Sequence, residues 1–245
     1  MRVLVVTAVR AEADAVCGGL GAVTDMPVPN TTDATDTAGE RRLPGGYVLT
    51  SRPGADVLAA GVGPAAVASG TATALARAEL SSAPYDLVVS AGIGGGFRPH
   101  APVGSLVVAD AIVAADLGAE TPEGFLPVDE LGFGRTVHRP PPELSTRIAR
   151  LLDAVHAPVL TVSTVTGSAA RTAELTARHP RAAAEAMEGF GVAEAAAAYG
   201  VPVVEIRAVS NAVGPRDRSA WRIGQALEAL RYACGQLSPV FEESP

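Results

Sequence analysis

At 245 residues, 48% of them hydrophobic, the chain is long enough for one large α/β domain or two small ones and can bury a sizeable core. A net charge of −7 argues against nucleic acid or another polyanion as partner, and 4% aromatic residues supply no stacking platform. The two cysteines, Cys17 and Cys234, form neither a metal spacing nor a disulfide framework, the four histidines are scattered, and no membrane span or signal peptide is expected. These features fit a reducing cytoplasm and a site without metal.

Arg2–Val9 is an apolar run of strand length, and Ala11–Leu20 reads as a short helix with Glu12 in its first turn. An acid there is favoured by the helix dipole alone. Val23–Gly46 is polar and too long for an ordinary α/β turn; a weak hairpin or an excursion are the two readings. Tyr47–Ser51 and Val57–Gly61 are expected strands, and Ala65–Leu80 a long helix behind GVG. Asp86–Ala91 is a buried strand followed by the loop GIGGGF, read either as a plain glycine-rich turn or, preferably, as one whose Gly92, Gly94 and Gly95 let a backbone approach a ligand.

Val103–Asp116 predicts one or two strands, Glu143–Val155 an amphipathic helix, Pro158–Val165 a strand and Ala169–His179 a helix. Ala182–Glu188 ends on an acid before the Ala-rich helix Gly189–Gly200. Val203–Val209 is β-branched and apolar, the mark of a strand buried in a parallel sheet. Ser210 and Asn211 are then expected just beyond its carboxyl end, where open α/β sheets bind ligands. Ala220–Leu237 is the last expected helix. This alternation predicts a three-layer α/β/α fold, a mixed central sheet flanked by helices, with residues 1–245 as one domain.

Two motifs carry a resemblance: AME ending at Glu188, and RAVSN ending at Asn211. Together with Glu12 and the glycine segments they resemble the nucleoside phosphorylase and nucleosidase superfamily, in its methylthioadenosine/S-adenosylhomocysteine nucleosidase branch. The SN…GPRD ending resembles the futalosine hydrolases, which release hypoxanthine in menaquinone biosynthesis. The resemblance covers nearly the whole chain except Val23–Gly46. It implies hydrolysis of an N-glycosidic bond without a cofactor and a homo-oligomeric assembly. Glu188, beside Met187, then binds the ribose hydroxyls, and Glu12 orients or deprotonates the attacking water. Asn211 stands where the nucleosidases have an acid that protonates the purine.

Gly92, Gly94 and Gly95 would lie along ribose and base, and Val165 and Ser210 would line the site. Phe125 belongs to a segment that reaches a partner's site in the family; the other reading is that it covers its own core. Futalosine carries a benzoate, and Arg216, then Arg218, are the nearby cations in sequence, although a solvated arginine is the common case. Asp217 is read as a surface or capping residue. The rival activities are phosphorolysis, an adenine-releasing nucleosidase, and nucleoside binding without catalysis. GVGPAAVASG and VVSAGIGGG contain no arginine for phosphate, so hydrolysis is preferred.

Overall fold

The computed structural model describes residues 1–21 and 39–242. The chain opens with β1 (Val3–Thr7), α1 (Arg10–Leu20), β2 (Glu40–Arg42), β3 (Val48–Arg52), β4 (Ala55–Ala59) and α2 (Pro64–Leu80). The middle comprises β5 (Leu87–Gly96), β6 (Leu106–Ala114), a hairpin of β7 (Gly118–Thr121) and β8 (Gly124–Pro127), β9 (Val137–His138) and α3 (Pro142–Leu151). It closes with β10 (Val155–Thr161), α4 (Ala169–Arg178), β11 (Ala184–Ala186), α5 (Gly189–Ala198), β12 (Val203–Ala212) and α6 (Ile223–Glu242). Residues 23–38 of the long polar segment lie outside the described residues; Glu40–Arg42, at its end, is a strand antiparallel to β3.

The fold is three-layered, around a ten-stranded mixed sheet in the order β11-β10-β6-β12-β5-β1-β4-β3-β2, with β9 on β6. Alternation along β1 shows the layers. Leu4 and Val6 pack with α2 and α5, whereas Val3 and Val5 pack with α1 and α6. All five β1 residues are buried, as expected of a strand covered on both faces. β11 also pairs antiparallel with β5, so β5, β12, β6, β10 and β11 close into a ring.

Three boundaries differ from expectation, each for a physical reason. The glycine segment is no loop: β5 runs on through Gly96 because β12 and β11 bond it on both sides. A Cβ at Gly94 would lie 2.8 Å from the Glu185 carbonyl oxygen, so only glycine fits between these strands. Ser210 and Asn211 do not follow β12 but belong to it. The register slips from Val209 opposite Gly94 to Asn211 opposite Gly95, leaving Ser210 as a bulge. Finally, the amphipathic helix stops at Leu151, and Val155 opens β10 against β6. Asp153, with φ of 48°, reverses the chain between them.

Helix α5 is buried on nearly every side, which explains its run of alanines and glycines. Gly191 lies against the Pro64 backbone at the start of α2, and a Cβ there would overlap the Pro64 carbonyl. Alanine normally stabilises a helix interior by about 1 kcal/mol over glycine. Gly191→Ala should instead destabilise by roughly 1–3 kcal/mol, through forced separation of α2 from α5. A melting temperature raised by this substitution would show that the two helices separate freely.

Candidate active site

The predicted residues converge where β1, β5, β12 and the β11–α5 junction meet. Glu12, in the first turn of α1, reaches back to cap its own helix and across to β5. Its Oε2 accepts the backbone N–H groups of Ala8 at 3.0 Å and Val9 at 3.2 Å, and its Oε1 accepts that of Ile93 at 2.9 Å. The carboxylate therefore both caps α1 and ties it to β5. The carboxylate is buried, with 4% of the residue exposed. Burial raises its pKa above the ordinary carboxylate value, opposed by nearby Arg207 and the Ile93 N–H.

Glu188 is buried at the N-terminus of α5. Its Oε1 accepts the N–H of Gly63 at 3.4 Å, and its Oε2 accepts that of Met187 at 3.2 Å. Gly63, at φ of 91°, is the turn residue ahead of α2, so the GVG segment meets Glu188 directly.

Between the two acids lies Arg207, which the sequence reading passed over. Arg207 is 1% exposed in the middle of β12. Its Nη1 donates to Glu188 Oε2 at 3.2 Å, its Nη2 to the Ser90 hydroxyl at 3.1 Å, and its Nε to Glu205 Oε1 at 2.8 Å. Gly92 makes room for this: a Cβ there would lie 2.6 Å from Arg207 Nη1 and 2.7 Å from Glu12 Oε1. The signal was present in the sequence, since a charged residue in a buried strand requires a partner, and Glu205 and Arg207 share one face at a spacing of two.

At the carboxyl end of β12 the bulge presents Asn211. The Ser210 hydroxyl donates to Asn211 Oδ1 at 2.8 Å, and Asn211 Nδ2 donates to the Ala212 carbonyl at 3.0 Å. The Ala212 carbonyl can only accept, so this contact identifies the nitrogen end of the amide; the Ser210 hydroxyl also lies 3.2 Å from the Gly94 carbonyl. A Cβ on Gly95 would lie 3.3 Å from that nitrogen, so this glycine keeps the amide accessible. Val165 is 45% exposed beside Thr166, whose N–H donates to the buried Glu185 at 2.8 Å.

Other expected residues lie apart from the cluster. Phe125 sits on β8 with the Arg178 guanidinium 4.3 Å from its ring centroid, lining a cavity of about 530 Å³ with Asp110, Arg139 and Arg181. Asp217 caps a short turn, accepting the Ser219 N–H at 3.0 Å. Arg216 and Arg218 flank Trp221 at 5.2 and 5.8 Å, an aromatic the sequence reading missed. The Arg222 N–H donates to the Ser210 carbonyl at 2.8 Å and ties this loop to the bulge. Among the described residues no group of His, Cys, Asp and Glu gathers to hold a metal.

The raised pKa of Glu12 sets a pH expectation. A base must be deprotonated, so kcat/KM for nucleoside hydrolysis should fall as pH drops through a value above about 4.3, the ordinary glutamate pKa. Glu12→Gln should abolish that limb and lower kcat by roughly 10²–10⁴-fold. It also turns an amide NH₂ toward one of the backbone N–H donors, so the melting temperature should fall too. Wild-type turnover by this variant would reduce Glu12 to a helix cap.

A family model for the phosphorylase superfamily matches residues 2–237. Futalosine hydrolase from Streptomyces coelicolor is 60% identical over 242 residues, covering 99% of this chain and 97% of that protein. Futalosine hydrolase from Acidothermus cellulolyticus is 45% identical, covering 96% and 89%. In solved structures the fold recurs in the futalosine hydrolase of Helicobacter pylori, with a TM-score of 0.73, 15% identity and 98% of each chain covered. It recurs also in the methylthioadenosine/S-adenosylhomocysteine nucleosidase of Colwellia psychrerythraea, at 0.72 and 22%, covering 97% of this chain and 96% of that one. The chain is a member of the phosphorylase superfamily and, within it, of the futalosine hydrolase family.

Proposed function

We propose that the chain hydrolyses the N-glycosidic bond of a hypoxanthine nucleoside, with futalosine as its substrate. The observation that carries the choice of base is the fixed amide of Asn211. Its nitrogen donates to the Ala212 carbonyl and keeps one further N–H, while the Ser210 hydroxyl lies against its oxygen. Hypoxanthine presents acceptors at both N7 and O6, which suit a donor. The family names of the 60% and 45% identical relatives point the same way.

The chemistry follows from the three side chains. Glu188 accepts hydrogen bonds from the ribose hydroxyls and fixes the sugar. Glu12 takes a proton from water, whose oxygen attacks C1′. The C1′–N9 bond breaks, and its electron pair enters the purine, where O6 spreads the negative charge while Asn211 donates toward the same edge. Met187, Ser210, Val165 and the glycines Gly92, Gly94 and Gly95 complete the walls of this site.

Phosphorolysis fits less well. The cluster holds Glu12, Glu188 and Glu205 around Arg207, whose three nitrogens are all engaged. Such a group repels phosphate rather than binding it. An adenine-releasing reaction would lack the acid that protonates the leaving base. The protein is proposed to work in the cytoplasm as a single domain in a homo-oligomer, with Phe125 on the β7–β8 hairpin directed to a second copy.

The test is incubation with futalosine, inosine, adenosine and methylthioadenosine, with and without phosphate, and chromatography of the released base. Release of hypoxanthine from futalosine without phosphate is expected. Faster adenine release would overturn the reading of the base, and dependence on phosphate would overturn hydrolysis. Asn211→Asp should lower turnover of futalosine and shift relative preference toward adenine nucleosides, because its second oxygen opposes O6 and its acid can protonate N7. An unchanged ratio between the two bases would remove Asn211 from base selection.

Arg216 is proposed to pair with the 5′ carboxylate of futalosine, with Trp221 beneath its aromatic ring. A charge-assisted bond contributes roughly 1.5–3 kcal/mol, so Arg216→Ala should raise KM for futalosine about tenfold or more. KM for inosine, which has no such group, should stay within about twofold. Equal effects on both nucleosides would refute the assignment.

A further inference from the structure

Glu205 has no part in the chemistry above, yet it is the most completely buried acid of the cluster. It is 0% exposed, on β12 opposite Ser90 of β5. Its Oε1 accepts from Arg207 Nε at 2.8 Å. Its Oε2 is buried without a hydrogen-bond partner and lies against Gly189 at the start of α5, where any Cβ would overlap the carboxylate. A valine or isoleucine would suit this strand and avoid burying an oxygen without a partner. The groups facing it are Arg207 on its own strand, Ser90 on β5, Glu188 at the β11–α5 junction and, through Arg207, Glu12 on α1. One guanidinium thus serves three carboxylates, two of which are proposed to touch substrate.

We propose that Glu205 is a positioning residue: by holding Arg207 Nε it aims the guanidinium fork at Glu188 and Ser90, and by sharing that positive charge it keeps Glu12 basic enough to activate water. An arginine held only at its Nη atoms rotates about its last bonds. With its Nε fixed, the planar fork has one orientation, and Glu188 receives a stationary partner. Charge works in the same direction. A guanidinium shared by two acids stabilises their charged forms more than one shared by three, so without Glu205 the carboxylate of Glu12 would bind its proton less tightly. Burial raises the pKa of Glu205 itself, and Arg207 opposes that rise.

The inference rests on Glu12 acting on water, and the test separates the two. Glu205→Gln retains an oxygen for Arg207 Nε and removes the charge; Glu205→Val removes both. For Glu205→Gln, the acidic limb of kcat/KM should move about one pH unit lower, with the plateau kcat falling severalfold as the base weakens. Glu205→Val should lose about tenfold or more in plateau kcat/KM while circular dichroism shows a folded chain, and Gln at this position should recover most of that loss. An unmoved limb in Glu205→Gln, or a wild-type plateau in folded Glu205→Val, would overturn the proposal.

If the wild type released base with no acidic limb at all, the role of Glu12 would fail instead, and Glu205 would be judged by melting temperature. A group with a raised folded-state pKa contributes stability below its unfolded pKa and loses it as pH rises through the folded value. The melting temperature of Glu205→Gln minus that of wild type should therefore increase as pH rises above the ordinary glutamate range, and the increase should be complete below the assay pH. An increase that begins only above the assay pH would show Glu205 protonated beside Arg207 during turnover and would overturn the charge-sharing role.

Discussion

A single guanidinium, enclosed in the middle of a sheet, sets the terms for everything around it. Arg207 cannot lose its proton, and moving it from water into the core is tolerable only if its donors are met. Each of its three nitrogens has a partner: Glu205 from the same strand, Ser90 from the neighbouring strand and Glu188 from the start of α5. Because these partners come from separate elements, the charge network fixes β12, β5 and α5 relative to one another. Removing one partner of a buried pair leaves an uncompensated charge, at a cost of about 3–5 kcal/mol. The arrangement of the acids is therefore coupled to the integrity of the fold.

Steric exclusion supplies the second constraint. Gly92 and Gly189 both stand where a Cβ would meet the charge network, at Arg207 and Glu12 in one case and at Glu205 in the other. Gly94 and Gly95 let three strands come together at the ring, and the bulge at Ser210 sets Asn211 opposite Gly95. The glycines are not a flexible loop. They are part of a rigid strand that lets polar side chains from its neighbours come close.

The layers were readable from the sequence because hydrophobic period and helix punctuation are local signals. The unbroken apolar run of β1, covered on both faces, is decided within five residues. Glu188 and Asn211 were found through short motifs. What escaped depended on pairing between distant segments. GIGGGF looks like a loop until β11 is known to bond to it, 88 positions later in the case of Gly96 and Ala184. Arg207 was hidden inside an otherwise apolar run, and Trp221 had no partner visible in sequence. Its neighbours Arg216 and Arg218 gain significance only when the Arg222 N–H ties their loop to Ser210.

The ring formed by β5, β12, β6, β10 and β11 has a further consequence. An open sheet has two raw edges, each a template on which another chain can add a strand. Here one end of the sheet curls back, and its terminal strand, β11, spends its hydrogen bonds on β5 and β10. Among the described residues the path through the sheet then ends at β2, which is three residues long and reads Glu-Arg-Arg. Short length and charge both discourage edge-to-edge growth. The closure that shapes the site thus also protects the protein from self-association into β-aggregates.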